Sequence, residues 1–154
     1  MAKIDPEIVA EEDSLWREFW STVQRFSPEQ FAEPGYFEER WSAKDAVAHV
    51  GTWLAEAGAA LEQIHGGTYV PPNPAEVDAM NERFLSAMRD ASPEDVKAQA
   101  IAARSRMLHA WTDAPADDER SAGWIRKSGP EHYREHLPRL EEWLTELNGR
   151  RPAG

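Results

Sequence analysis

Between Tyr133 and Leu147, apolar residues recur at Tyr133, Leu137, Leu140, Leu144 and Leu147, a spacing of 4, 3, 4, 3. Only a helix brings such a series onto one face, and the stripe is narrow enough that other helices must cover it. The same reasoning reaches most of the chain. Asp5 to Phe26 reads as a helix, with Asp5 as cap, Pro6 at the first helical position and Ile8, Leu15, Phe19 and Val23 as its seam, Trp16 and Trp20 beside it. Ser42-Ala43-Lys44-Asp45 resembles a capping box and opens a helix to His65, stopped by Gly66-Gly67, with Ala46, Val50, Trp53, Ala57, Leu61 and Ile64 facing inward. Ala75 to Arg89 is predicted as a helix whose inward members are Val77, Met80, Phe84, Leu85 and Met88. Ser92-Pro93-Glu94-Asp95 starts another, reaching Trp111, with Val96, Ala100, Ile101, Met107, Leu108 and Trp111 as core candidates.

Between these helices the chain is punctuated. Ser27 to Trp41 carries Pro28, Pro34 and Gly35 and reads mainly as a loop with one short helical turn, its aromatic residues covering an end of the bundle. Thr68 to Pro74 is barred from helix by its prolines and begins a long crossover. Asp113 to Ser128, polar throughout, is expected to be loop with Trp124 and Ile125 tucked back. The last helix opens at Gly129-Pro130-Glu131 and closes at Asn148-Gly149, leaving residues 149–154 as a disordered tail. Pro138 lies inside it and should kink it. The expectation is one all-α domain over residues 1–154.

The 154 residues carry 17 basic and 28 acidic side chains, a net charge of −11. That excess repels phosphate backbones, and no basic run overrides it, so nucleic acid is not expected as a partner. No apolar stretch approaches the roughly 20 residues of a membrane helix, and the N-terminus lacks the pattern of a signal peptide. There is no cysteine, which excludes thiolate ligands and a cysteine nucleophile and suits a cytoplasmic protein.

Chemistry concentrates in the histidines. His132 and His136 stand four residues apart, so on a helix they stack on one face within reach of a single metal ion. His49 leans onto the inward face of the second long helix. Together they suggest a three-histidine metal site between helices, the ligand set of a catalytic zinc site with an open position. Nickel or iron would accept the same ligands. His65 and His109 read as surface. His132 to His136 also fits H-x-x-E-H, the inverted zinc-protease motif, but so short a motif in a small helical fold carries little weight. Glu131 and Glu135 are better read as solvated or as partners of the ligating histidines.

With those residues in place, the chain resembles the DinB/YfiT-like family of four-helix bundles, which includes the N-terminal domains of mycothiol-dependent maleylpyruvate isomerases. The resemblance lies in WSAKDAVAHVGTW, Trp41 to Trp53, and in EHYREHLPRLEEWL, Glu131 to Leu144. It implies an up-down-down-up bundle with an extra short helix in the long crossover, commonly dimeric. It implies a divalent metal, zinc or nickel, on His49, His132 and His136. In some members that metal activates a low-molecular-weight thiol such as mycothiol or bacillithiol. No isomerase-type C-terminal domain follows within these residues, so the expected activity is a thiol-dependent transferase or a hydrolase acting on a small electrophilic substrate. The alternative is a non-catalytic protein that binds a small molecule, or protects against one, in a Trp-rich bundle pocket. A third reading is a structural helical dimer whose histidines are only packed.

Overall fold

A computed structural model describes residues 5–37, 40–113 and 118–150. Helix α1, Pro6–Gln24, begins where the Asp5 side chain accepts from the Glu7 amide. Ser27 closes a reciprocal capping box with Gln30 around the short α2, Pro28–Ala32. Two short antiparallel strands follow, β1, Pro34–Phe37, and β2, Trp41–Ser42. Ser42 and Asp45 then cap each other's backbone at the start of α3, Ala43–Gly66, and Gly67 ends it in the left-handed conformation. Such caps satisfy amides and carbonyls that a helix end leaves without partners. Asn73 caps α4, Pro74–Met88, and Ser92 accepts from the Asp95 amide at the start of α5, Pro93–Asp113. Asp118 caps α6, Glu119–Ser128, which passes through Gly129 into α7, Pro130–Gly149.

The long helices α1, α3, α5 and α7 form the bundle, and their close approaches fix its directions. Gly51 of α3 lies against Ala100 of α5 and Gly58 against Met107, so these two run parallel. From Glu12 in α1 to Phe31 in α2, the partners on α5 descend from Arg104 to Lys97, which sets α1 antiparallel to α5. Along the same path the partners on α7 climb from Tyr133 to Asn148, so α1 and α7 run together. The order is up-down-down-up. The core gathers Trp16, Phe19 and Tyr133 in ring contact, with Leu54, Leu61, Met107 and Leu140 fully buried beside them.

Several expectations need correction. Asp113 to Ser128 is not all loop, because it contains α6. Ser27 to Trp41 holds a strand that pairs with Trp41–Ser42. In α1 the buried face runs through Ile8, Glu12, Trp16, Phe19 and Val23, with Leu15 at the rim. Ile101 is exposed at 48% instead of joining the core. No residue of α4 is fully buried; its apolar positions are half covered, against α3. Helix α7 continues through Pro138, as a kinked helix can; the proline lies on an exposed side, where water can satisfy the carbonyl that its missing N–H leaves open. Gly149 belongs to α7 with Arg150 as its cap, while residues 151–154 of the expected tail lie outside the described residues. Among the described residues no helix is long and apolar enough to cross a membrane.

Candidate functional site

The three histidines come from two helices, and the fold brings them together. The ligand atoms of His49, His132 and His136 all lie within 4.8 Å of one another. Ring centroids are 4.8 Å apart for His49 and His132, 4.9 Å for His132 and His136, and 5.7 Å for His49 and His136. Helical stacking accounts for the α7 pair. The third ring depends on how α3 packs near the start of α7. Gly129 permits that start. A Cβ there would fall 2.8 Å from the Ile125 carbonyl oxygen, which accepts from the Gly129 amide as α6 ends.

Burial governs the protonation of these rings. It pulls His49 and His136 down to about 4, with neighbouring His136 adding to the effect on His49 and Glu135 opposing it. It pulls His132 to about 2, reinforced by His136 and His49. A cation is costly where water is excluded, so all three imidazoles are neutral near pH 7. Each then carries one N–H and one free lone pair. His136 Nδ1 lies 2.8 Å from the Tyr36 hydroxyl, while its Nε2 and His132 Nδ1 are buried with no hydrogen-bond partner among the described residues. Clustered neutral imidazoles with orphaned nitrogens are a donor set suited to a borderline divalent cation such as zinc or nickel.

The residue that sequence reasoning missed is Tyr36, which lies on β1 and is 3% exposed. Arg139 of α7 donates to the backbone carbonyls of Gly35, at 3.1 Å, and of Tyr36, at 2.6 Å, and so ties the strand to the helix carrying His136. Trp41 of β2 adds an edge contact to the His49 ring, with centroids 5.5 Å apart. Among the described residues neither Glu131 nor Glu135 hydrogen-bonds a histidine of the cluster. His65 and His109 are exposed and lie outside the cluster, as expected.

A cavity of about 710 Å³ opens onto His49 and His132. Its walls are mainly apolar, including Trp53, Trp124, Pro71 and Val77. Asn81 accepts from the Trp53 indole at 2.7 Å, and the Tyr69 hydroxyl from the Trp124 indole at 2.8 Å. Asn81 thus holds a cavity wall in place.

An all-helical bundle with a histidine cluster between its second and last long helices, beside a walled cavity, defines the class of protein. The chain belongs to the mycothiol maleylpyruvate isomerase N-terminal domain family, whose model matches residues 13–147. The crystal structure of an uncharacterised protein from Escherichia coli UTI89 is similar, with a TM-score of 0.80 over 93% of this chain and 94% of that one. Its sequence identity is 16%, so this likeness speaks to the fold alone. No curated protein matches the chain.

Proposed function

We propose that this protein is a divalent-metal-dependent enzyme whose ligands are His49, His132 and His136. Its reaction is a thiol-dependent transfer, or a hydrolysis, on a small electrophilic substrate. The observation that carries this reading is the convergence of three neutral imidazoles, their ligand atoms within 4.8 Å, two of which, His49 and His132, line a cavity. Zinc or nickel held there would act as a Lewis acid, lowering the pKa of a bound water or thiol. The chain's own residues supply the setting. Tyr36 leaves His136 Nε2 free to face the cluster, the indoles give the cavity apolar walls, and Glu135 stands on the cavity wall where a carboxylate can take up a proton. Membership in a family described by a mycothiol-dependent isomerase supports a low-molecular-weight thiol such as mycothiol as co-substrate.

The second reading, a non-catalytic small-molecule-binding or protective protein, draws on the two tryptophans in the cavity wall. Elemental analysis of tag-free protein separates the two. The enzyme reading expects near-stoichiometric zinc or nickel in the parent and none in a still-helical His132→Ala, His136→Ala variant. A parent that holds no metal after incubation with zinc and dialysis would sink it and leave the binding protein.

A further inference from the structure

The lining of the cavity is chemically lopsided. Helix α6 turns Arg120, Gly123, Trp124, Lys127 and Ser128 toward it, residues three or four apart that share one helix face. Two of these are cations, in a chain whose net charge is −11. The Arg120 guanidinium lies over the Tyr69 ring, 5.7 Å from its centroid, and its Nε and Nη2 donate to Asp118, whose side chain caps the helix. Lys127 is exposed and makes no hydrogen bond or ion pair with the described residues. The carboxylate of the lining, Glu135, belongs to α7 beside the histidines, where its charge acts on His49. Asp118 already pairs with Arg120, so Lys127 is the cation of the lining left without a partner among the described residues.

Flat, fixed walls line the same cavity. The Trp53 and Trp124 rings are stacked, 6.3 Å apart at 27°, and each indole N–H is already committed to Asn81 or Tyr69. Held this way, the indoles present faces suited to a planar apolar body. Gly123 adds a separate observation. It stands inside a helix, where glycine is unfavourable, yet a Cβ there would meet nothing within 4 Å. No protein neighbour requires the glycine. What a side chain would occupy is the cavity.

The geometry points to a small organic anion with a flat, aromatic body as the ligand of this cavity. Its carboxylate lies toward Lys127, and its body against Trp53 and Trp124 in the space Gly123 leaves. This inference rests on the reading that the cavity is where the proposed enzyme holds its substrate.

Isothermal titration calorimetry with cinnamate and its neutral analogue cinnamamide tests it, on tag-free protein both metal-stripped and zinc-loaded. In the metal-free protein, where no metal can attract the carboxylate, cinnamate should bind about tenfold more tightly than cinnamamide, as a charge-assisted contact provides. Lys127→Gln should bring the two ligands within about twofold of each other while leaving cinnamamide unchanged. Gly123→Leu should abolish binding of both without lowering the Tm, since its side chain enters empty space and leucine favours helix. Equal affinities in the parent, no binding of either ligand, or a folded Gly123→Leu variant that binds as the parent does would each overturn the inference. Should Gly123→Leu fail to fold, the Lys127→Gln comparison decides alone. Zinc content measured on the same samples keeps the two ideas apart. Bound zinc without anion preference removes the ligand class and leaves the metal reading; anion preference without zinc does the reverse.

Discussion

Tyr36 controls which nitrogen His136 can offer. Its hydroxyl engages Nδ1, so the tautomer with hydrogen on Nδ1 donates to Tyr36 and leaves the Nε2 lone pair for the cluster. Its position depends on Gly35, whose φ of +122° is strained for other residues and whose Cβ would lie 2.7 Å from the Trp143 ring. Removing the hydroxyl by Tyr36→Phe keeps the ring in its buried place. Zinc affinity, read by competition with a chelator, should then fall about tenfold, with the Tm nearly unchanged. An unchanged affinity would mean that Tyr36 only fills space. Nothing in the sequence announces this contact. The partners are a hundred positions apart, and an aromatic residue in a Pro/Gly-rich stretch reads simply as a cover for the bundle end. The α7 histidines were legible because helical geometry alone places them together.

Three helices meet at one buried carboxylate. Glu12 of α1, 1% exposed, accepts from Arg104 of α5 at 2.8 and 2.6 Å and from the Tyr133 hydroxyl of α7 at 2.9 Å. Tyr133 directly follows His132, so this network anchors the turn that presents the histidines. Glu12→Gln removes the charge and leaves Arg104 with Asp13, at 3.3 Å, as its carboxylate partner. The variant should lose about 3 kcal/mol in urea denaturation, at the low end for a broken buried pair because Arg104 keeps 18% exposure. A loss under about 1 kcal/mol would show that the network adds little. Glu12 occupies a core position that a purely apolar seam assigns to its neighbour Leu15. Helix α6 escaped reading for a related reason: its face toward the cavity carries Arg120, Gly123, Lys127 and Ser128 around a single large apolar residue, Trp124, which sets no apolar period. The half-covered face of α4 shows the converse. A regular apolar stripe does not by itself secure deep burial.

At the scale of the molecule, the cluster couples stability to pH. His49 and His136 drop from 6.5 to about 4 on folding, so between those values the unfolded chain binds protons that the folded one does not. Stability of the metal-free protein is therefore full above pH 6.5 and falls as pH decreases toward 4, by on the order of 3 kcal/mol for one such histidine. Urea midpoints at pH 7, 5.5 and 4.5 should trace this decline, and a variant with His49, His132 and His136 all changed to Gln should lose most of the slope, because His132, at about 2, adds to it. An equal slope in that variant would assign the acid sensitivity to other groups. What the sequence determined by itself is the local physics: helix caps at Ser27, Ser42 and Ser92, apolar stripes of bundle period, and the stacking of His132 with His136. These follow from spacing along one chain segment, and the Trp41–Trp53 and Glu131–Leu144 stretches tied them to the family. Only the tertiary structure decided that His49 closes the cluster, that Tyr36 and Arg139 hold its edge, and that α6 lends its cationic face to a cavity. Those contacts join segments far apart in the chain, and their placement depends on how whole helices pack, which no local period encodes.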